Sequence, residues 1–145
     1  MKVYVLSGSS HAGKTNTLHR LAILMNNMSG KYKLDAAGAV PPAKIPFDAD
    51  RQYVFKELAT GCMIGISTAG DNRMAIDNAF DFFAKNNCVI GFLASKSSGR
   101  SVDEIEIRSH AINVSPVYFW LILSGVSRNK DQIQQSIVRN LEAMI

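Results

Sequence analysis

The chain has 145 residues, 47 % apolar and 19 % charged, with a net charge of +4. One domain over residues 1–145 fits that length, and the apolar content is enough to offset chain entropy, so a disordered chain is excluded. The most apolar stretch, Val117–Leu123, is too short to cross a bilayer, and Met1–Gly8 holds no signal-peptide run, so a cytoplasmic protein without a membrane span is the expectation.

In chain order, Lys2–Leu6 reads as a short strand and is followed by the small-residue stretch Gly8–Gly13. Leu18, Leu21, Ala22, Met25 and Met28 then recur at helical spacing, which predicts an amphipathic helix over Lys14–Met28. Ser29–Asp50 carries three of the four prolines and reads as a long, mobile connection of the kind that often serves function. Gln52–Leu58 and Cys62–Thr68 are strand candidates joined tightly at Thr60-Gly61, the first as an antiparallel edge.

Asp71 or Asn72 can cap the next helix, whose buried stripe is Ile76, Ala79, Phe80 and Phe83. Cys88–Ala94 is apolar throughout, as for a strand covered on both faces. Ser95–Arg100 is polar, and Ser101-Val102-Asp103-Glu104 matches a capping box at a short helix start. Val117–Leu123 predicts a buried strand. Asn129 with Gln132 resembles the start of a last helix lined by Ile133, Ile137, Leu141 and Met144. Apolar strands alternating with amphipathic helices predict an α/β fold with a mostly parallel sheet of about five strands and helices on both faces.

The two cysteines, Cys62 and Cys88, cannot form a disulfide framework or a four-ligand zinc site, and read as buried reduced thiols. His19 and His110 have no neighbouring ligand residues. The basic residues are scattered, so charge alone neither selects nor dismisses nucleic acid.

One motif is specific. Gly8-Ser9-Ser10-His11-Ala12-Gly13-Lys14-Thr15 fits G-x-x-x-x-G-K-[ST] without a mismatch, between a predicted strand and a predicted helix. Glycines let the backbone bend around a phosphate, successive N–H groups form an anion nest, and the helix start adds its positive dipole end. Lys14 would reach the β- and γ-phosphates, Thr15 would offer its hydroxyl to Mg²⁺, and Asn16 would complete the binding stretch. The competing reading is a glycine-rich turn into an ordinary helix. With glycine at about 7 % of residues, a chance match is expected in well under about one chain in a hundred of this length.

These first 28 residues resemble the start of a P-loop NTPase. The resemblance implies a three-layer α/β/α domain, a nucleoside triphosphate with Mg²⁺, and an acid at the end of a strand neighbouring the loop strand. Ser67-Thr68-Ala69-Gly70 is similar to the D-T-A-G segment of GTPase-like members, but Ser67 stands where the aspartate belongs. Ser67 could still touch the metal or its water, and Asp71 is the nearest carboxylate able to replace the missing charge. The alternative for Asp71 is helix capping alone.

Neither Ser95-Lys96-Ser97-Ser98 nor Ser124-Gly125-Val126-Ser127 supplies the aspartate that reads guanine, which favours ATP over GTP. Arg100 matches the position of an arginine-bearing lid in small P-loop kinases, with Arg108 as a second candidate. The competing reading of both is a solvated surface arginine. His11 is expected to point outward. Asp48 and Asp50 lie where kinases reach an acceptor and GTPases carry a switch loop, with loop capping as the plainer role.

The resemblance thus implies Mg²⁺-dependent ATP binding and hydrolysis, with Lys14, Asp71 and Arg100 catalytic and Thr15, Ser67 and Asp71 toward the metal. The alternatives are a small-molecule or nucleotide kinase and a nucleotide-gated interaction module with slow turnover. Nucleotide is the expected partner; a protein partner or a homo-oligomer is left open.

Overall fold

Alternation along the strands sets the architecture. In β1 (Lys2–Ser7), Val3 and Val5 join one apolar cluster and Tyr4 and Leu6 another, all four buried. A strand apolar on both sides must be covered on both sides. The computed structural model describes residues 1–9, 13–120 and 130–145. It meets that demand with a six-stranded sheet and four helices.

After β1 come α1 (Lys14–Asn27), β2 (Tyr32–Leu34), β3 (Gln52–Glu57), β4 (Met63–Ser67), α2 (Arg73–Lys85), β5 (Cys88–Ser95), α3 (Arg100–Ala111), β6 (Val117–Trp120) and α4 (Lys130–Ala143). The sheet order is β2-β3-β4-β5-β1-β6. Strands β4, β5, β1 and β6 are parallel, β3 is antiparallel to β4, and β2 is antiparallel to β3.

Three expectations change. The sheet has six strands, because Ser29–Asp50 contributes β2, so β3 pairs on both sides and is not the edge. That connection is also pinned along its length. Asp35 and Ala39 N–H groups donate to β3 carbonyls, and the Phe47 N–H donates to Asn16 Oδ1 at 2.9 Å. Third, the Ser101–Glu104 capping box does not form. The cap of helix α3 lies two residues earlier, at Gly99, and makes no side-chain hydrogen bond. The Ser101 hydroxyl instead accepts from the Lys96 N–H, and Glu104 turns inward to pair with Arg73 at 2.6 Å. The end of the strand predicted over Val117–Leu123, and Asn129, lie outside the described residues.

Helices α1 and α4 bury Leu18, Leu21, Met25, Val138 and Leu141 on the face that carries Tyr4, Leu6, Ile64, Ile66 and Phe92. Helices α2 and α3 bury Ile76, Phe80, Phe83 and Ile105 on the face that carries Val3, Val5 and Leu93. Each fully buried side chain of this size contributes about 1.5–3 kcal/mol. Among the described residues, no helix is long and apolar enough to cross a membrane.

The second face has a particular fit. Gly65 and Gly91 are register partners on adjacent parallel strands, and the Phe83 ring lies directly on both. A Cβ on Gly91 would sit 2.6 Å from ring carbons. Gly91→Ala is therefore expected to cost about 1–3 kcal/mol through overpacking. Phe83→Leu in the same chain should recover part of that loss, because the two sites share one space. Urea denaturation of the two single variants and the double variant checks this.

Candidate functional site

The Gly8–Thr15 loop joins the C-terminal end of β1 to the N-terminus of α1, and Gly13 closes it at φ 84°, in the left-handed region. A residue with a Cβ adopts that conformation only at a cost, so glycine is required there by the backbone itself. Ser10, His11 and Ala12 lie outside the described residues, so their expected contacts are not part of the geometry below. Ser9 is exposed and Gly8 buried.

Lys14 is the centre. Its side chain is only 5 % exposed. Its ammonium donates to the Gly8 carbonyl at 2.9 Å and to the Ser95 carbonyl at 2.9 Å. The Asp71 carboxylate stands 3.6 Å away. Desolvation lowers the Lys14 pKa, Asp71 opposes that shift, and the charge of Lys96 adds to it. One cation thus ties the loop, the end of β5 and the β4–α2 turn together.

The position of Asp71 depends on a close approach. β5 stands between β1 and β4, so the strand that ends in Ser67 is not the neighbour of the loop strand, contrary to the arrangement implied by the resemblance. The turn after β4 bridges the gap by lying on the end of β5. A Cβ on Gly70 would come 1.8 Å from the Ala94 carbonyl oxygen. Only glycine permits that contact, and the next residue, Asp71, then reaches Lys14. Asn72 caps α2, accepting from the Ala75 N–H at 2.9 Å, so capping does not account for Asp71.

Ser67 is buried, and its hydroxyl accepts from Gln52 Nε2 at 3.3 Å. Thr15 is half-buried in the first turn of α1, whereas the hydroxyl that folds back onto the Gly13 carbonyl belongs to Thr17, at 2.8 Å. Asn16 uses its side-chain oxygen to hold the Phe47 N–H of the long connection. Asp50 accepts from the Thr68 hydroxyl at 3.0 Å, and Asp48 is exposed.

Arg100 is the first residue of α3 and is exposed, on the helix and not on a lid loop. Arg108 is occupied elsewhere, pairing with Asp81 at 2.6 Å and Asp77 at 3.2 Å and lying over the Phe80 ring. It belongs to an ionic seam between α2 and α3.

Several contributors escape sequence reasoning. Lys96 follows β5 directly, and its charge acts on Lys14. Buried Gln134 of α4 reaches the Gly13 carbonyl at 3.4 Å and accepts from Arg20 at 2.8 Å, a placement that no local pattern encodes. His19 is fully buried. Its Nε2–H donates to the Ala49 carbonyl at 2.9 Å, and its Nδ1 accepts from the Tyr53 hydroxyl at 2.7 Å. Both ring nitrogens are satisfied in this neutral tautomer.

Among the described residues no group of three histidines, cysteines or acids could hold a metal ion. Among the described residues, the candidate metal donors are the hydroxyl of Thr15, which follows Lys14 in α1, and the exposed carboxylate of Asp71, 3.6 Å from the ammonium. So sparse a set fits Mg²⁺ better than a metal needing a full protein cage, because Mg²⁺ keeps several waters and takes phosphate oxygens. Ser67, turned toward Gln52, adds little to that set.

Two outcomes follow from this geometry. Burial lowers the His19 pKa below the usual 6.5, despite the Ala49 carbonyl and Asp50, with Arg51 adding to the shift. The unfolded chain therefore binds the proton more readily. This part of the stability is complete above the ordinary imidazole pKa and is lost as pH falls toward the lowered folded value. Chemical denaturation should show stability falling between about pH 7 and about pH 5, with a shallower slope for His19→Gln. At neutral pH, Asn72→Ala should cost about 1 kcal/mol by loss of the cap. Asp71→Asn should cost less than about 1 kcal/mol, because its carboxylate is largely exposed; thermal denaturation separates the two.

Comparison with protein-family models, with curated proteins and with solved structures finds no match to this chain, so its function rests on the geometry above.

Proposed function

We propose that the chain is a P-loop nucleoside triphosphatase with a three-layer α/β/α fold, binding ATP with Mg²⁺ along Gly8–Asn16 and hydrolysing it. The observation that carries the reading is the buried ammonium of Lys14. It lies at the foot of a complete G-x-x-x-x-G-K-[ST] loop, held by two carbonyls at 2.9 Å. Carbonyls are weaker partners for an ammonium than phosphate oxygens, so a triphosphate would draw Lys14 out of that hold.

In this reading the N–H groups at the start of α1 and the Lys14 ammonium bind the β- and γ-phosphates. Thr15 would hold Mg²⁺ through its hydroxyl, and the ion would neutralise phosphate charge. Asp71 accepts a hydrogen bond from the attacking water and aligns it with the γ-phosphorus. As the water oxygen bonds to phosphorus, the bond to the β–γ bridging oxygen breaks, ADP leaves with that electron pair, and the water's proton goes to the Asp71 carboxylate and then to solvent. Lys14, aided by the charge of Lys96 and by Arg100 at the start of α3, would stabilise the charge that develops. ATP is preferred to GTP because Ser95–Ser98 offers no aspartate to the guanine edge; Ser124–Ser127 lies outside the described residues.

Lys14→Ala should abolish turnover and weaken triphosphate binding, measured by calorimetry beside the melting temperature. Unchanged affinity would overturn the reading. Asp71→Asn should lower turnover by about 10²–10³ at saturating nucleotide while changing affinity little, as for a contact made in the transition state. A turnover within about twofold of the parent would remove Asp71 from the site.

A further inference from the structure

Beside Asp71 lies a groove of about 600 Å³, formed by the start of β3, the end of β4 and the first turns of α2. Asp50, Arg51, Gln52, Ser67, Asn72 and Asn78 supply its polar lining. Ala69 and Asn72, which flank Gly70-Asp71 in the chain, belong to its lining, and the Asp71 carboxylate of that turn stands 3.6 Å from Lys14.

The lining selects a chemistry. No aromatic side chain lies among the described lining residues, so a stacked base has no platform there. Arg51 is committed, with its guanidinium 4.3 Å from the Phe47 ring centroid and a bond to the Val40 carbonyl at 2.7 Å. Asp81, at the outer end, is paired with Arg108. Asp50 gives one oxygen to the Thr68 hydroxyl. Gln52 Nε2 is given to Ser67 and Asn72 Oδ1 to the α2 cap, so the groove offers the second Asp50 oxygen, Gln52 Oε1, Asn72 Nδ2 and the Asn78 amide, a set that suits a ligand with an amine and hydroxyls. The wall that carries Asp50 is also held by the helix that follows the loop, through Asn16 to Phe47 and His19 to Ala49.

We infer that this groove is an acceptor site for a small amino- and hydroxyl-bearing molecule, and that an acceptor hydroxyl bound there takes the γ-phosphoryl group, water reacting only when the groove is empty. This rests on the nucleotide reading above. The acceptor oxygen bonds to the γ-phosphorus as the bond to the β–γ bridging oxygen breaks. ADP leaves with that electron pair, and the hydroxyl proton goes to the Asp71 carboxylate and then to solvent.

The test uses the ¹⁵N-labelled full chain, with glucosamine, glucose and glucose 6-phosphate as probes, with and without Mg²⁺ and a non-hydrolysable ATP analogue. Glucosamine should move the amide signals of Gln52, Ser67, Asn72 and Asn78, glucose should move them less, and glucose 6-phosphate should leave them in place. Asp50→Asn, which keeps an oxygen for Thr68, should weaken glucosamine binding by about tenfold, the loss of one charge-assisted hydrogen bond. With γ-labelled ATP, label should appear on glucosamine. No groove shift with any probe, a preference for glucose 6-phosphate, or glucosamine binding without transfer would each overturn the proposal. Shifts of Gly13 and Lys14 on adding the analogue report the nucleotide site separately. Their absence would overturn the nucleotide reading and the acceptor role with it, whereas absence at the groove alone would overturn only the latter.

Discussion

A buried ammonium must find oxygen partners, and Lys14 finds them on three different segments. The Gly8 carbonyl comes from its own loop, the Ser95 carbonyl from the end of β5, and the Asp71 carboxylate from the turn before α2. Removing a charge from water is costly, and each of these groups repays part of that cost. The geometry of one end of the sheet is therefore organised around this cation. Gly8, Ser95 and Asp71 are far apart in sequence, and they meet because β1 and β5 are parallel neighbours with strand ends in register, Ser7 opposite Ser95.

Glycines make this convergence possible by what they lack. Gly70 lets the β4–α2 turn lie on the Ala94 carbonyl and carry Asp71 across the intervening strand. Gly65 and Gly91 give the Phe83 ring a seat against the sheet, which sets how closely α2 approaches β4 and β5. The closeness of α2 in turn fixes Asn72 and Asp71 at its start. Packing on the face opposite α1 thus reaches the site through backbone position alone.

Local patterns were legible where one physical rule decided the outcome. The α2 stripe of Ile76, Ala79, Phe80 and Phe83 follows from helical periodicity, and all four are buried. β5 follows from its continuous apolar run. β2 was not legible: three residues, Tyr32–Leu34, find their sheet partner only in β3, and their anchor is the Tyr32 hydroxyl, which donates to Glu142 at the far end of the chain. The capping box at Ser101–Glu104 misled because Glu104 pairs with Arg73 and the Ser101 hydroxyl accepts from the Lys96 N–H, both partners from outside α3. At the site, the loop was readable from spacing. The strand order that separates Ser67 from β1, and the arrival of Gln134 and His19, depend on tertiary contacts that no local pattern carries.

The role of Lys14 is tested most directly by watching its side chain. In ¹H–¹³C spectra of the full chain, with the ε-methylene signal assigned by its loss in Lys14→Met, addition of ATP and Mg²⁺ should shift that signal as the ammonium exchanges carbonyls for phosphate oxygens. AMP, which lacks the β- and γ-phosphates, should leave it nearly in place. A Lys14 signal unmoved by saturating ATP and Mg²⁺ would contradict its place as the phosphate-binding cation.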